Sequence, residues 1–170
     1  MKKQIALLAM ALVLLLSIAL GKPLDISVLA SPSIIRVPQD CPTIQDAINA
    51  ADSGDIIYVW NGTYPERVIV DKSNLTLVGE DRNITVINGS GGDAVSLKAN
   101  NIKIKGFTIQ EGHSGVQISP WAHSHEISDN IITNNDFGIR GHYDVHHIMI
   151  SNNIIASNNI VGIEMAFYNS

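Results

Sequence analysis

The sequence predicts an all-β solenoid preceded by one short helix. Three observations carry that reading. First, three segments align beneath one another: "IKGFTIQEGHSGVQIS" from Ile104, "ISDNIITNNDFGIRGH" from Ile127 and "ISNNIIASNNIVGIEM" from Ile150. Ile104, Ile127 and Ile150 are spaced by 23 and 23, as are Ile109, Ile132 and Ile155, while Gly115, Gly138 and Gly162 are spaced by 23 and 24. Second, after Gly54 the chain becomes a series of short apolar runs rich in β-branched residues, from "IIYVW" to "VGIEM". None is long enough for a helix. Third, Asn, Gly, Asp and Ser separate the runs, and these are turn formers.

A period in the twenties holding several strands stacks each strand on its equivalent one coil below, with aliphatic side chains turned inward. Asparagines one period apart, Asn130 with Asn153 and Asn135 with Asn158, are placed to form amide ladders. The glycine column is expected to hold backbone angles that a side chain opposes. A leucine-rich repeat shares the period, but its "LxxLxLxxN" pattern and bulky convex segment are not visible. A weaker echo of the repeat lies upstream in "ITVINGSGGDAVSL".

Taken in order, residues 1–30 read as a secretory signal. "MKKQ" is a basic start, and the sixteen-residue run Ile5 to Leu20 is short for a membrane span and suits a signal core. Small residues near Ala30 offer a cleavage point, with Gly21 an earlier alternative. An uncleaved N-terminal anchor would be the protein's one membrane contact and would still leave the rest outside. Residues 31–41 read as a linker with a short strand in "IIRV". A helix follows over residues 43–52. Its Ile44, Ala47, Ile48 and Ala51 draw one apolar stripe, Thr43 with Asp46 resembles a capping box, and "DSGD" stops it. Such a helix suits a lid over the first coil, whose bare edge would otherwise be open. About five coils are expected across the domain, residues 42–170. The chain stops at "GIEMAFYNS" inside a repeat, which reads as a fragment of a longer solenoid; the alternative is a short protein capped by self-association.

Hydrophobic residues make up 45% of the chain and charged residues 16%, enough to bury a core. Cleavage after Ala30 removes Lys2, Lys3, Lys22 and Asp25, taking the formal charge from −5 to −7. An acidic domain excludes nucleic acid as a partner, because phosphate binding needs a basic face. One cysteine, Cys41, rules out an internal disulfide and reads as a small buried residue.

Candidate sites gather late in the chain. All six histidines lie between His113 and His147. His123 and His146 are one period apart, so they should stack about 5 Å apart. His125 falls on the same side as His123 if that segment is extended. A patch of His123, His125 and His146, with His142 or His147 near, suits Cu or Zn through neutral imidazole. Against this, no Met or Cys joins the group and no fixed ligand spacing is present, and surface turn histidines would look the same. Trp121 and Tyr143 flank the cluster 22 residues apart and are candidates for stacking on sugar rings. Trp60 and Tyr64 straddle "NGT" in the same sense. Either pair would also serve as packing beneath a loop. Asp129 aligns with Gly106 and Asn152, and Asp136 with His113 and Asn159, while Asp144 leads the next coil. No two acids share a column, so stacking makes no acid–base pair; Arg140 nearby does not change that, and no catalytic residue is assigned. "NGT", "NLT", "NIT" and "NGS", starting at Asn61, Asn74, Asn83 and Asn88, match the N-glycosylation acceptor pattern, as an Asn-rich chain does by chance.

The stretch "TIQDAINAADSGDIIYVWNGTYPERVIVDKSNLTLVGEDRNITVI" resembles the N-terminal cap and first coils of right-handed parallel β-helix proteins with the pectin-lyase-like fold. "SDNIITNNDFGIRGH" and "ISNNIIASNNIVGIEM" are similar to repeats of NosD-type and related carbohydrate-associated proteins. The resemblance covers residues 34–170. It implies a single-stranded right-handed parallel β-helix with a short N-terminal capping α-helix. It also implies a secreted, periplasmic or cell-surface module whose partner is a polysaccharide or cell-surface glycan. The same group contains lyases, hydrolases and epimerases, so the alternative is the N-terminal fragment of such an enzyme, with active coils beyond Ser170. Pectate-lyase-like members hold Ca²⁺ on clustered acids. NosD proteins are linked to copper-site maturation, which makes a copper-handling histidine patch a third reading.

Overall fold

A computed structural model describes residues 31–166 of the 170. The expected signal segment, residues 1–30, lies outside the described residues. The rest winds right-handedly through about six turns, with every strand pairing in parallel. Each complete turn contributes one strand to each of three sheets, while the first supplies only Ile34–Val37 before the helix.

The first sheet runs Ile34–Val37, Ile56–Val59, Thr76–Gly79, Lys103–Lys105, Glu126–Ser128 and Met149–Ser151. Its register stacks Ile35, Ile57, Leu77, Ile104, Ile127 and Ile150 in one inward column. The second sheet, from Gly62–Tyr64 to Ile154–Ala156, stacks Ile87, Ile109, Ile132 and Ile155. The third, from Val68–Val70 to Val161–Ala166, stacks Val68, Val95, Val116, Ile139 and Ile163. Ile57, Leu77, Ile104, Ile109, Ile127, Ile132 and Ile139 are wholly buried. At about 1.5–3 kcal/mol per aliphatic side chain, these columns are the main favourable term. The strand Ile34–Val37 pairs with Ile56–Val59, so the solenoid has one turn more than the expected five. Treating 31–41 as a linker hides that turn.

The corners explain the turn formers. Gly106, Asp129 and Asn152 sit between the first and second sheets with φ of 82°, 56° and 56°. Glu111, Asn134 and Ser157 do the same between the second and third sheets, at 57°, 54° and 55°. A left-handed residue reverses the chain tightly, and Gly, Asn and Asp tolerate it best.

Inside two of these corners the expected asparagine ladders form. Asn130 Nδ2 donates to Asn153 Oδ1 (3.1 Å) and to Ile104 O (3.0 Å), while its Oδ1 accepts from Phe107 N (3.1 Å). Asn135 Nδ2 donates to Asn158 Oδ1 (3.1 Å), and its Oδ1 accepts from Gly112 N (2.9 Å). Both amides are fully buried and satisfied. The glycine column differs from expectation. Gly115, Gly138 and Gly162 do not have positive φ. Their need for glycine is space: a Cβ on Gly115 would lie 2.7 Å from Gly138 O and 2.8 Å from Asn135 Nδ2.

The cap helix spans Ile44–Ala50 and buries Ile44, Ala47 and Ile48 against the first coils. Thr43 Oγ1 accepts from Asp46 N at 3.0 Å, as the capping box requires. The next coil finishes both ends. Glu66 accepts from Ile44 N and Gln45 N at 3.0 and 2.9 Å, and Lys72 donates to Asn49 O and Ala51 O at 2.6 and 2.7 Å. An anion at the N-terminus and a cation at the C-terminus also suit the helix dipole. Cys41 is half-buried against the core.

Candidate functional site on the third sheet

The candidate residues converge on the outer face of the third sheet and the two corners that flank it. The corner leading to the first sheet is the wide one, residues 119–125. There Trp121 N donates to Tyr143 O at 3.1 Å, which locks the two residues onto consecutive rungs. Both have positive φ, 61° and 55°, a turn conformation that throws a bulky side chain outward. Trp121 is 70% exposed and Tyr143 50%. Both rings therefore reach the surface, Trp121 the more fully.

The histidines divide. His123 and His146 bridge in parallel, and their rings stack at 4.9 Å with 17° between planes. His147 meets His146 edge-on at 4.9 Å. His125 does not join them. Ser124 has φ 62°, so the segment is not extended and His125 turns into the core. It takes the place in the column that Leu75, Ile102 and Ile148 hold on other rungs, and is only 2% exposed. Its Nδ1 accepts from Ile102 N at 3.3 Å, while the buried Nε2 has no partner among the described residues. Burial, with the neighbouring His123, pushes its pKa down to about 4.

The sheet face and the opposite corner form one polar network. Gln117, Arg140 and Glu164 stand in register. Arg140 Nε donates to Glu164 Oε2 at 2.8 Å, and its guanidinium lies 4.2 Å from the Phe137 ring centroid. Arg140 Nη1 meets His113 Nε2 at 3.3 Å, and His113 Nδ1 meets Asp136 Oδ2 at 3.2 Å. Because Arg only donates, the geometry assigns His113 the tautomer that accepts at Nε2 and donates from Nδ1. Asn159 Nδ2 donates to Asp136 Oδ1 at 3.0 Å. These bonds from Asn159 and His113 hold the Asp136 carboxyl below its ordinary pKa. Beside them opens a cleft of 430 Å³ lined by Asn88, Gln110, Glu111, His113, Asn134 and Asp136. Sequence reasoning aligned Asp136 with His113 and Asn159 but missed this cleft. Gln110, Glu111 and Asn134 look like ordinary turn residues until the second corner is closed. Asp129 is exposed on another corner and joins neither group, whereas Asp144 sits in the wide corner with its backbone O 2.9 Å from His146 Nδ1.

The profile of the family described as "Periplasmic copper-binding protein (NosD)" matches residues 40–170. The chain belongs to the NosD family. A cell surface glycoprotein of Methanothermus fervidus is 35% identical over 94 residues, which is 54% of this NosD-family chain and 15% of that protein. The pectin methylesterase PemA of Erwinia chrysanthemi shares the fold, with a TM-score of 0.50 and 16% identity over 72% of this chain and 49% of that one. A second pectin methylesterase structure, with hexasaccharide VII, gives 0.50 and 17% over 72% and 52%. The chain thus spans about half the length of these structural relatives.

The family description raises copper, and the histidines can be tested for it. Two nitrogens on one ion at about 2 Å each must converge within about 4 Å of one another. Parallel rings stacked at 4.9 Å direct their lone pairs side by side. His123 Nδ1 meets Ser124 Oγ (3.0 Å) and His146 Nδ1 meets Asp144 O (2.9 Å), and His125 is in the core. Among the described residues no three His, Cys, Asp or Glu side chains surround a common point. As placed, His123, His125 and His146 do not fit a copper or zinc site.

Proposed function

We propose that this NosD-family β-helix is an exported surface or periplasmic module that binds glycan on its third sheet. The observation that carries the reading is the pair Trp121 and Tyr143, exposed and bonded rung to rung at one edge of that sheet. Sugar rings present apolar C–H faces that stack on such rings, while hydroxyls need a polar surround. Gln117, Arg140, His142 and the amide-rich cleft supply that surround across the sheet. The family's periplasmic description and the surface relative support the location.

Charge narrows the ligand. The face carries Lys98 and Arg140 against Glu111, Asp136, Asp144 and Glu164, and Arg140 is already occupied by Glu164. Four carboxylates against two cations leave the face net negative, so neutral glycans fit better than uronates. The test is a glycan array followed by calorimetry on wild type and Trp121→Ala. Binding to neutral oligosaccharides that falls about tenfold or more in the variant, roughly 1.4 kcal/mol, supports the reading. Equal binding by both proteins, or no glycan bound by either, refutes it.

A further inference from the structure

The first coils carry the four Asn-X-Ser/Thr matches, and the structure separates them. The amide of a glycosylation acceptor must be accessible and free of competing bonds. Asn74 is tied on both sides: its Nδ2 donates to Ser53 Oγ at 2.8 Å and its Oδ1 accepts from Asn101 Nδ2 at 3.1 Å. Asn83 Nδ2 donates to Asp81 Oδ1 at 2.8 Å, and its hydroxyl partner Thr85 is wholly buried. Asn88 Oδ1 accepts from Ser90 N at 2.9 Å, and Asn88 lines the polar cleft.

Asn61 is different. It is exposed, as is Thr63, and only its backbone N is bonded, to Glu80 Oε2 at 2.8 Å. Its side-chain amide bonds to no described residue. Gly62 between them has φ 149° and no side chain to obstruct an approaching enzyme. The turn is held rigid from both sides. Trp60 N donates to Val37 O at 2.9 Å, and Tyr64 Oη donates to Trp60 O at 2.9 Å. Tyr58 packs edge-on against Trp60 at 5.6 Å, leaving Trp60 41% exposed directly before the acceptor.

We propose that Asn61 is an N-glycosylation site, and that its first sugar rests on the Trp60 ring. The donor is an oligosaccharide joined through its anomeric carbon to a lipid diphosphate, delivered by the exporting cell's transferase. The bond from that carbon to the phosphate oxygen breaks, and a bond to Asn61 Nδ2 forms. The nitrogen gives up one proton, and the lipid diphosphate leaves with the bonding electron pair. Trp60 then covers the apolar face of the attached sugar, which stabilises the turn and the first coil beneath it. The inference is independent of glycan binding on the third sheet and rests on export.

The experiment is peptide mass spectrometry on the full chain exported from a glycosylating cell. A secreted reporter with an unrelated Asn-X-Thr serves as control. The expected result is a glycan mass on the peptide holding Asn61. Asn61→Gln and Thr63→Ala each remove it, while Asn74→Gln, Asn83→Gln and Asn88→Gln leave it in place. The glycosylated protein should melt higher than its deglycosylated form, and Trp60→Ala should remove at least about half of that rise. A bare Asn61 beside a modified reporter overturns the assignment. So does glycan at Asn74, Asn83 or Asn88 in its stead. A rise unchanged in Trp60→Ala overturns the ring contact.

Discussion

His125 makes stability depend on pH over a window that begins well above the ordinary carboxylate range. Its folded pKa is about 4 against an ordinary 6.5. Above pH 6.5 the ring is neutral in both states and contributes nothing to the pH dependence. Below 6.5 the unfolded chain takes up a proton that the core refuses, so stability falls as pH falls. The slope is about 1.4 kcal/mol per pH unit until the folded ring also protonates near pH 4. The full loss is about 3 kcal/mol, a large fraction of an ordinary domain's stability. Urea unfolding at steps from pH 7.5 to 4.5, followed by circular dichroism, measures it. His125→Ile is the matched control, because isoleucine restores the aliphatic column of Leu75, Ile102 and Ile148. The change removes the unpartnered Nε2 but leaves Ile102 N without its acceptor, so at pH 7.5 the two effects, each about 1–3 kcal/mol, largely offset. What the variant should lose is the slope between pH 6.5 and 4.5. Parallel pH profiles for wild type and His125→Ile would refute the buried, neutral placement of this ring.

The remaining predictions test other parts of the fold and the site. Asn130→Ala strands Phe107 N and Ile104 O in the core and should cost about 2–4 kcal/mol by urea unfolding; Asn153→Ala, on the half-exposed outermost described rung, should cost less. Glu66→Ala removes the acceptor for Ile44 N and Gln45 N and should lower stability by about 1 kcal/mol. Asp55 accepts from Ser33 N and Asp52 N, which hold its pKa below the ordinary 3.8. Its contribution is therefore present above pH 3.8 and lost as pH falls further, so Asp55→Asn should flatten only the most acidic part of the unfolding profile. In copper calorimetry, wild type, His125→Ile and His123→Ala/His146→Ala should all lack stoichiometric uptake, and a site lost in the double variant would overturn the fit argument.

What was legible in the sequence followed from the repeat. Ile104, Ile127 and Ile150 fall in one column because a fixed period and a fixed register are the same statement for stacked coils. The asparagine ladders were legible for the same reason. The strand Gly62–Tyr64 was not, because "GTY" is no apolar run; pairing with Thr85–Asn88 makes it a strand. The glycine column was placed correctly and explained wrongly, since spacing reports that a side chain is excluded without saying whether angle or neighbour excludes it. His125 shows the sharper limit. Period-two alternation puts it beside His123, and one left-handed residue, Ser124, sends it to the other side of the wall.

That last point bears on where function resides in such a fold. A coil that keeps the repeat buries what the repeat buries, and its corners hold small turn residues. The residues proposed here depart from that rule. Trp121 and Tyr143 occupy left-handed positions where Asn or Gly would fit with less strain, so nothing in the packing of the turn selects them. Their side chains gain little from burial at 70% and 50% exposure. A ring such as Trp121, which neither eases its own backbone nor joins the core, has its remaining use in what it presents to solvent. If Trp121→Gly and Tyr143→Gly each leave stability unchanged or raised while weakening glycan binding, the rings are there for a ligand. If either substitution unfolds the wide corner, they are structural and the third-sheet site has lost its main support.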